Sequence, residues 1–235
     1  LRLGLEYFKI YFLSTIRNIP ALFFTLIFPP LMLLLFAHQW EEKNAFGALI
    51  VFFNYSVQTV ALMLLGMGVT QEKNSEWAKY LRSLPVGLKP MLIGRMLHTL
   101  SLSFINLFSV SLVALFILHI NVNFEQIISF ATIALLGAIP MALLGMAIGY
   151  AANPESSRSI FTLLNLLLFF GSFSLPATGI FGTVRNFIPT YQWTVLSYSF
   201  VDKSISILNP LICLAAYSFF FLFLFQKMYR KTQKV

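Results

Sequence analysis

Six blocks of apolar residues, each near or above the length that crosses a bilayer, decide what this chain can fold into. A spanning helix needs about 20 apolar residues, and the blocks run 19–37, 45–70, 92–118, 127–151, 159–181 and 207–225. Backbone groups inside a bilayer must find partners within their own segment, so blocks of this kind predict helices. The longest remaining piece, Gly182–Ser206, has 25 residues, short of the roughly 50 a separate soluble domain needs. The expectation is an all-α membrane protein with one domain over residues 1–235. Charge agrees: 10% of the residues are charged and 58% hydrophobic, where soluble domains carry about a quarter charged. That balance excludes a soluble enzyme.

The net charge of +8 could mark a nucleic-acid binder, but the spans leave no basic domain to carry that role. Sorted by side, Arg2, Lys9, Arg17, Lys73, Lys79, Arg82, Lys89, Arg95, Arg158, Lys227, Arg230, Lys231 and Lys234 fall together. Only Lys43, Arg185 and Lys203 fall opposite. The positive-inside rule then puts both termini in the cytoplasm. The first span is too long for the core of a cleaved signal, and Ala37-His38-Gln39-Trp40 offers no small-residue cleavage pattern. Pro29-Pro30 should kink that span. Gly145 and Gly149 form a GxxxG, read as tight packing within one subunit ahead of a dimer contact. The single cysteine, Cys213, lies in an apolar run and reads as a small buried hydrophobe.

The spans contain no Asp or Glu, so the midplane carboxylate of a proton-driven carrier is missing. Arg95 and His98 stand in the first turns of the third span, where Arg95 can snorkel to the interface. Asn54, Gln58, Asn106 and Asn165 are the deepest polar residues, read first as interhelical hydrogen-bond partners. The three histidines are scattered, and no HExxH, GxSxG or paired carboxylates occur. No catalytic or metal site is expected, and no cofactor bound by this chain. No GxxxxGK[ST] phosphate loop is present either, so ATP hydrolysis by that route needs another protein.

Two segments outside the spans carry information. In residues 1–18, Leu5, Phe8, Phe12, Ile16 and Ile19 follow helical spacing, with Arg2, Glu6, Lys9 and Arg17 opposite and Leu13 interrupting. This predicts an amphipathic helix lying in the inner interface. In the loop 71–91, Trp77, Tyr80, Leu81 and Leu84 share one face of a short helix, surrounded by Glu72, Lys73, Glu76, Lys79 and Arg82 and stopped by Pro85. Such a surface suits a soluble partner, and equally a helix lying on the membrane.

Glu72, Lys73 and then Leu81-Arg82-Ser83-Leu84-Pro85-Val86, placed after the second of six spans, resemble the cytoplasmic loop of ABC-2 type transporter permeases. That loop commonly reads Glu-Arg-x-x-Gly-Thr and ends in Leu-x-x-Leu-Pro-Val; this chain departs at Asn74-Ser75, where the glycine is expected. Gly94-Arg95 resembles the family's small–basic pair opening the third span. Pro176–Gly182 resembles its Ser-Gly-x-x-Phe-Pro stretch, with Gly182 in place of proline, and Ile188–Trp193 its Leu-Pro-x-x-Trp. The resemblance implies short re-entrant or outer helices between spans five and six, with Phe181, Pro189 and Trp193 as outer gate or anchor residues. Phe181, Phe187, Ile188, Trp193, Val195 and Leu196 are too apolar for a free loop and should sit at the outer interface.

The resemblance further implies a multi-pass subunit of a bacterial plasma or inner membrane, paired with a second copy or a similar permease. A separate ATP-binding protein would hold ATP and Mg and push on Glu72, Lys73, Glu76, Trp77, Tyr80, Leu81, Arg82 and Leu84. The path would be lined by spans one, two and five, with Phe24, Phe28, Asn54, Gln58, Asn165 and Phe169 as candidates. A wall of Phe and Met suits export of a drug, an antibiotic or a lipid-like molecule, yet lipid-facing helices contain the same residues. The rival readings are a secondary carrier or channel, and a non-transporting immunity or sensor subunit.

Overall fold

Apolar length and helix breakers set the elements. A computed structural model describes residues 2–37, 45–73, 75, 76, 78, 80, 88–176 and 178–233, and among these every regular element is helical. Helix α1 is Arg2–Ile16. The first rod joins α2 (Ile19–Leu22), a π turn at Phe23–Ile27 and α3 (Phe28–Ala37). The second joins α4 (Ala45–Gln58), a π turn at Thr59–Leu64 and α5 (Leu65–Lys73). The third joins α6 (Leu88–Leu112) and a π turn at Val113–Ile117. Then come α7 (Phe124–Ala151), α8 (Pro154–Phe173), α9 (Gly179–Asn186), α10 (Pro189–Tyr198) and α11 (Leu208–Gln233).

Five helices are long and apolar enough to cross a membrane: Phe46–Lys73, Lys89–Ile117, Phe124–Ala151, Pro154–Phe173 and Leu208–Thr232. A shorter apolar helix, Thr25–Phe36, occupies the first expected span. The fifth expected span is corrected: its helix ends at Phe173, and 174–176 and 178–181 lie outside it. Pro176 lacks the N–H to continue a helix, and Gly179, at φ +68°, starts a separate one. The second and sixth spans run on to Lys73 and Gln233, because nothing in either sequence breaks the helix where hydropathy falls.

The first rod continues through its proline pair. Pro29 and Pro30 remove the N–H groups four and five residues beyond Thr25, so its carbonyl has no helical donor. The Asn106 amide donates to that carbonyl at 2.7 Å, and to Ser56 O of the second rod at 3.1 Å. Membrane helices tolerate proline when a neighbouring helix supplies the missing partner.

The GxxxG packs within the chain, as read. A Cβ on Gly145 would lie 2.7 Å from Leu62 O and 2.8 Å from Ala61 O, and one on Gly149 would lie 2.6 Å from Gly66 O. Helix α7 thus meets the π turn and α5 of the second rod at backbone distance, which only small residues permit. The second rod is the centre of the bundle: 89% of its most apolar stretch is buried, against 22% to 50% for the other four long helices.

Candidate functional site

Where the second rod ends and the third begins, charge is drawn inward. Helix α6 starts at Leu88, so Arg95 stands two turns inside it. It is 3% exposed and does not snorkel out, a correction to the sequence reading. The reason is a partner: Glu72, in the last turn of α5, binds Arg95 Nη2 through Oε2 at 2.6 Å. The Tyr11 hydroxyl of α1 closes a ring, accepting from Arg95 Nε and donating to Glu72 Oε1, both at 3.3 Å. Burial, first of all, holds the Tyr11 phenol well above its usual range, against the pull of Arg95. The guanidinium also faces the rings of Tyr11 and Tyr150, 5.4 and 5.8 Å from their centroids.

Other bonds join more elements to this junction. Lys73 Nζ donates to Tyr150 O at 2.8 Å and to Ala152 O at 2.5 Å, a cation on the carbonyls that end α7. Thr70 Oγ1 donates to Gly149 O at 3.0 Å, and Thr15 pairs with His98 at 3.0 Å. Tyr150 meets Tyr229 of α11 edge-on, with centroids 5.3 Å apart. Helix α1 comes this close because Gly4 and Gly94 face each other's helices; a Cβ on Gly94 would lie 2.9 Å from Phe8 N.

The face that α1 turns to the protein was missed in sequence. It carries Gly4, Tyr7, Tyr11 and Thr15, while Leu5, Leu13 and Ile16 stay exposed and Phe8 and Phe12 are half-buried. Small and hydroxyl-bearing residues at helical spacing were the available signal, and the stronger apolar stripe beside them drew the reading.

Glu72 and Lys73 therefore belong to a helix end with inward partners, and the turn beyond them carries Glu76 and Tyr80, both exposed. Ser75 shapes that turn: its hydroxyl donates to Glu72 O at 2.6 Å and accepts the Ala78 amide at 3.2 Å, the work of an N-cap. Trp77, Leu81, Arg82 and Leu84 lie outside the described residues.

Beside the junction runs a groove. One chamber, of about 510 Å³, lies between the first rod, the second rod and α8. Its wall on the second rod is Tyr55, Thr59, Met63, Met67 and Gln71, every fourth residue, with Leu64 beside them. In an α-helix, positions four apart drift around the axis by about 40°. The wider π turn at Thr59–Leu64 winds that drift back and keeps the stripe on one side. A second chamber, of about 380 Å³, lies between α1, the second rod and α6, and has Tyr11, Glu72, Arg95 and His98 in its wall. The two share Asn18, Leu64, Met67 and Gln71.

Of the expected path residues, Phe28 and Asn165 line the larger chamber. Gln58 is buried behind the wall and donates to Asn165 O and Oδ1, both at 2.9 Å. Asn54 is also buried and donates to Thr194 at 3.4 Å and Ser197 at 3.3 Å of α10. Phe169 packs on Tyr55, with ring centroids 4.3 Å apart. The side chain of Phe24 lies outside the described residues. The expected path left out the stripe of Tyr55, Met63 and Met67; its four-residue repeat was the available signal.

At the opposite end, α9 and α10 form the outer segment. Phe181 is exposed on α9, and Pro189 is buried at the first position of α10. Trp193 is wholly buried, so its expected place at the interface is corrected. Its indole lies over Gly137, where a Cβ would strike the ring, and its Nε1 donates to Ile133 O at 3.1 Å. A glycine socket in α7 takes the residue that composition assigns to the interface. Among the described residues, no three His, Cys, Asp or Glu side chains gather as a metal site would need.

Residues 11–225 match the family described as ABC-2 family transporter protein. The chain belongs to the ABC-2 transporter family. This ABC-2 permease is also similar to a Bacillus subtilis (strain 168) protein provisionally named transport permease YvfS. The two are 27% identical over 191 residues, which cover 77% of this chain and 76% of the relative. No solved structure matches. The family lacks an ATPase domain of its own, and its members typically pair with ATP-binding subunits. The matched region of this ABC-2 permease contains the junction from Tyr11 onward, the groove and the outer segment. It is a membrane protein with several spanning helices.

Proposed function

We propose that this permease is the membrane subunit of an exporter, paired with a second permease and driven by a separate ATP-binding protein on the side of both termini, the cytoplasm. The first rod is taken as the sixth span, completing the count. The observation that carries the reading is the Glu72–Arg95–Tyr11 ring. It locks the start of the loop to the third rod and to α1. A push on the turn at Glu76 and Tyr80, and on Trp77, Leu81, Arg82 and Leu84 beyond, then moves three helices as a unit.

ATP acts through differential contact. The closed ATP-binding protein must fit one packing of these helices better than the other, and that difference moves the equilibrium. The groove between the first rod, the second rod and α8 supplies the cargo chamber, with a lipid-like molecule, a drug or an antibiotic as the cargo class. The test is to purify the tagged chain from its native membrane and reconstitute it. Co-purification of a Walker-motif protein and export that requires ATP are the expected results. Transport by the chain alone, without nucleotide, would overturn the proposal.

A further inference from the structure

The two chambers adjoin along Asn18, Leu64, Met67 and Gln71 and differ in their linings. The smaller holds most of the ionic groups: Tyr11, Thr15, Glu72, Arg95 and His98 line it beside Ile10, Leu65 and Val69. The larger is mainly apolar, with Phe28, Met63, Leu166 and, from the shared wall, Leu64 and Met67. Methionine side chains adapt to irregular apolar shapes. Along the second rod the groove runs from Gln71 to Tyr55, sixteen residues or about 24 Å at 1.5 Å per residue. Half of a bilayer's hydrocarbon core is about 15 Å. A groove that carries its ionic groups toward the helix ends and stays mainly apolar for at least one leaflet's depth has the polarity of a lipid leaflet.

Its charge is asymmetric. Among the described lining residues two are arginines, Arg95 and Arg158, and one is acidic, Glu72. Both Glu72 oxygens are engaged, one by Arg95 and one by Tyr11. Arg95 keeps a donor over: its Nη1 is buried with no partner among the described residues. Arg158 is exposed at the chamber's edge, close to the start of α8. The groove therefore offers donors and positive charge, and a ligand that complements it brings acceptors and negative charge.

We propose that the two adjoining chambers together bind an amphiphile, with an acidic head, a phosphate or a carboxylate, between Arg95 of the smaller and Arg158 of the larger and a hydrocarbon chain along the Tyr55–Met67 stripe. That this amphiphile is the cargo rests on the export reading. Its binding to the isolated permease does not, so the two fail separately.

The experiment measures equilibrium binding to the purified full chain in nanodiscs of zwitterionic lipid. The radiolabelled probes share one C18 chain: oleate, oleoyl lysophosphatidate, monooleoylglycerol and oleyl trimethylammonium. Both acidic probes are expected to bind at least tenfold more tightly than the neutral and cationic ones. Whichever acid binds better identifies the head as phosphate or carboxylate. Arg158→Gln, at an exposed position, should erase most of the acidic preference and leave monooleoylglycerol unchanged. Met67→Trp should fill the shared wall and weaken every probe at least tenfold. Equal binding of all four probes, or an acidic preference untouched by Arg158→Gln, overturns the site. Acid binding that persists while the reconstituted complex neither exports nor alters ATP hydrolysis overturns the export reading and leaves the site standing.

Discussion

Asn106→Leu tests whether the proline pair of the first rod depends on a side chain three helices along the sequence. Asn106 Nδ2 donates to Thr25 O at 2.7 Å and to Ser56 O at 3.1 Å, and the residue is fully buried. Interhelical hydrogen bonds in membranes contribute about 0.6 kcal/mol each on average and up to ~1.7. Leucine keeps the volume but takes the amide donor from a carbonyl whose α- and π-helical donors are prolines, at about 1–3 kcal/mol. The substitution should destabilise the protein by about 2–4 kcal/mol in SDS titration from mixed micelles, followed by tryptophan fluorescence. Pro29→Ala restores the N–H four residues after Thr25, so in the Asn106→Leu background it should recover about 1 kcal/mol. Pro140→Ala, in α7, serves as control and should add to Asn106→Leu within about 0.5 kcal/mol. Recovery by Pro140→Ala equal to that by Pro29→Ala, or a cost of Asn106→Leu below about 0.5 kcal/mol, refutes the reasoning.

Glu72→Gln leaves Arg95 buried without its counter-charge and should cost about 3 kcal/mol, at the low end for a broken buried pair because Glu72 keeps 17% exposure. The double change Glu72→Met/Arg95→Met should recover most of that in the same titration; a double mutant no more stable than the single disproves the pairing account. Gly145→Leu collides with the Ala61 and Leu62 carbonyls and should abolish the monodisperse peak in size-exclusion chromatography. Gly68→Ala, where a Cβ meets nothing within 4 Å, should leave that peak intact. Trp193→Phe loses the bond to Ile133 O and should cost about 1 kcal/mol, whereas Trp193→Ala opens a cavity and should cost about 3–5. Equal losses would show that the indole ring does not fill the Gly137 socket. Trp77→Asp/Leu81→Asp should leave assembly intact and uncouple export from ATP hydrolysis; normal export by that double mutant rules out the loop as the point of contact.

Helix identity was legible because apolar length alone selects helices in a bilayer. The Gly145/Gly149 packing was legible because close approach of two backbones needs small residues at a four-residue interval. Helix ends were harder. Hydropathy falls at Thr70, but helix propensity does not, so Glu72 and Lys73 passed for loop residues while the rod carried them inward. The same step misled the reading of Arg95: a lone cation near a span end snorkels unless a carboxylate meets it, and the carboxylate was counted on the other side of a boundary that does not exist. Trp193 failed for a different reason. Its burial depends on Gly137, 56 positions earlier, and no local pattern pairs a socket with the ring that fills it. Phe28 and Asn165, path candidates by the resemblance, stand in the wall of the larger chamber. Its straight wall depends on a π turn, which composition does not announce.

The seams around the second rod differ in kind, and that difference bears on what can move. Toward α7 the contact is glycine against backbone, so close that a Cβ on either glycine would lie 2.6 to 2.8 Å from a carbonyl oxygen. A shift there would bring carbonyls into collision or open a void, and packed interiors yield to neither. Toward α8, on the groove side, the buried Phe161 ring lies on Gly66, a side chain rather than backbone, and the polar contacts among the described residues include the two bonds from Gln58 to Asn165 and one from Asn165 to Thr59 at 3.4 Å. At about 0.6 kcal/mol each these hold roughly 2 kcal/mol, and amide groups can exchange partners. Reversing a population from 1:99 to 99:1 takes about 5.5 kcal/mol of differential binding, so a drive of that size exceeds the polar bonds on this side. The junction enters at the far end of the same rod, where Lys73 is bound to the carbonyls that end α7. A push delivered there meets the second rod and α7 as one body, and α8 is the neighbour whose polar ties can give, along the wall of the groove.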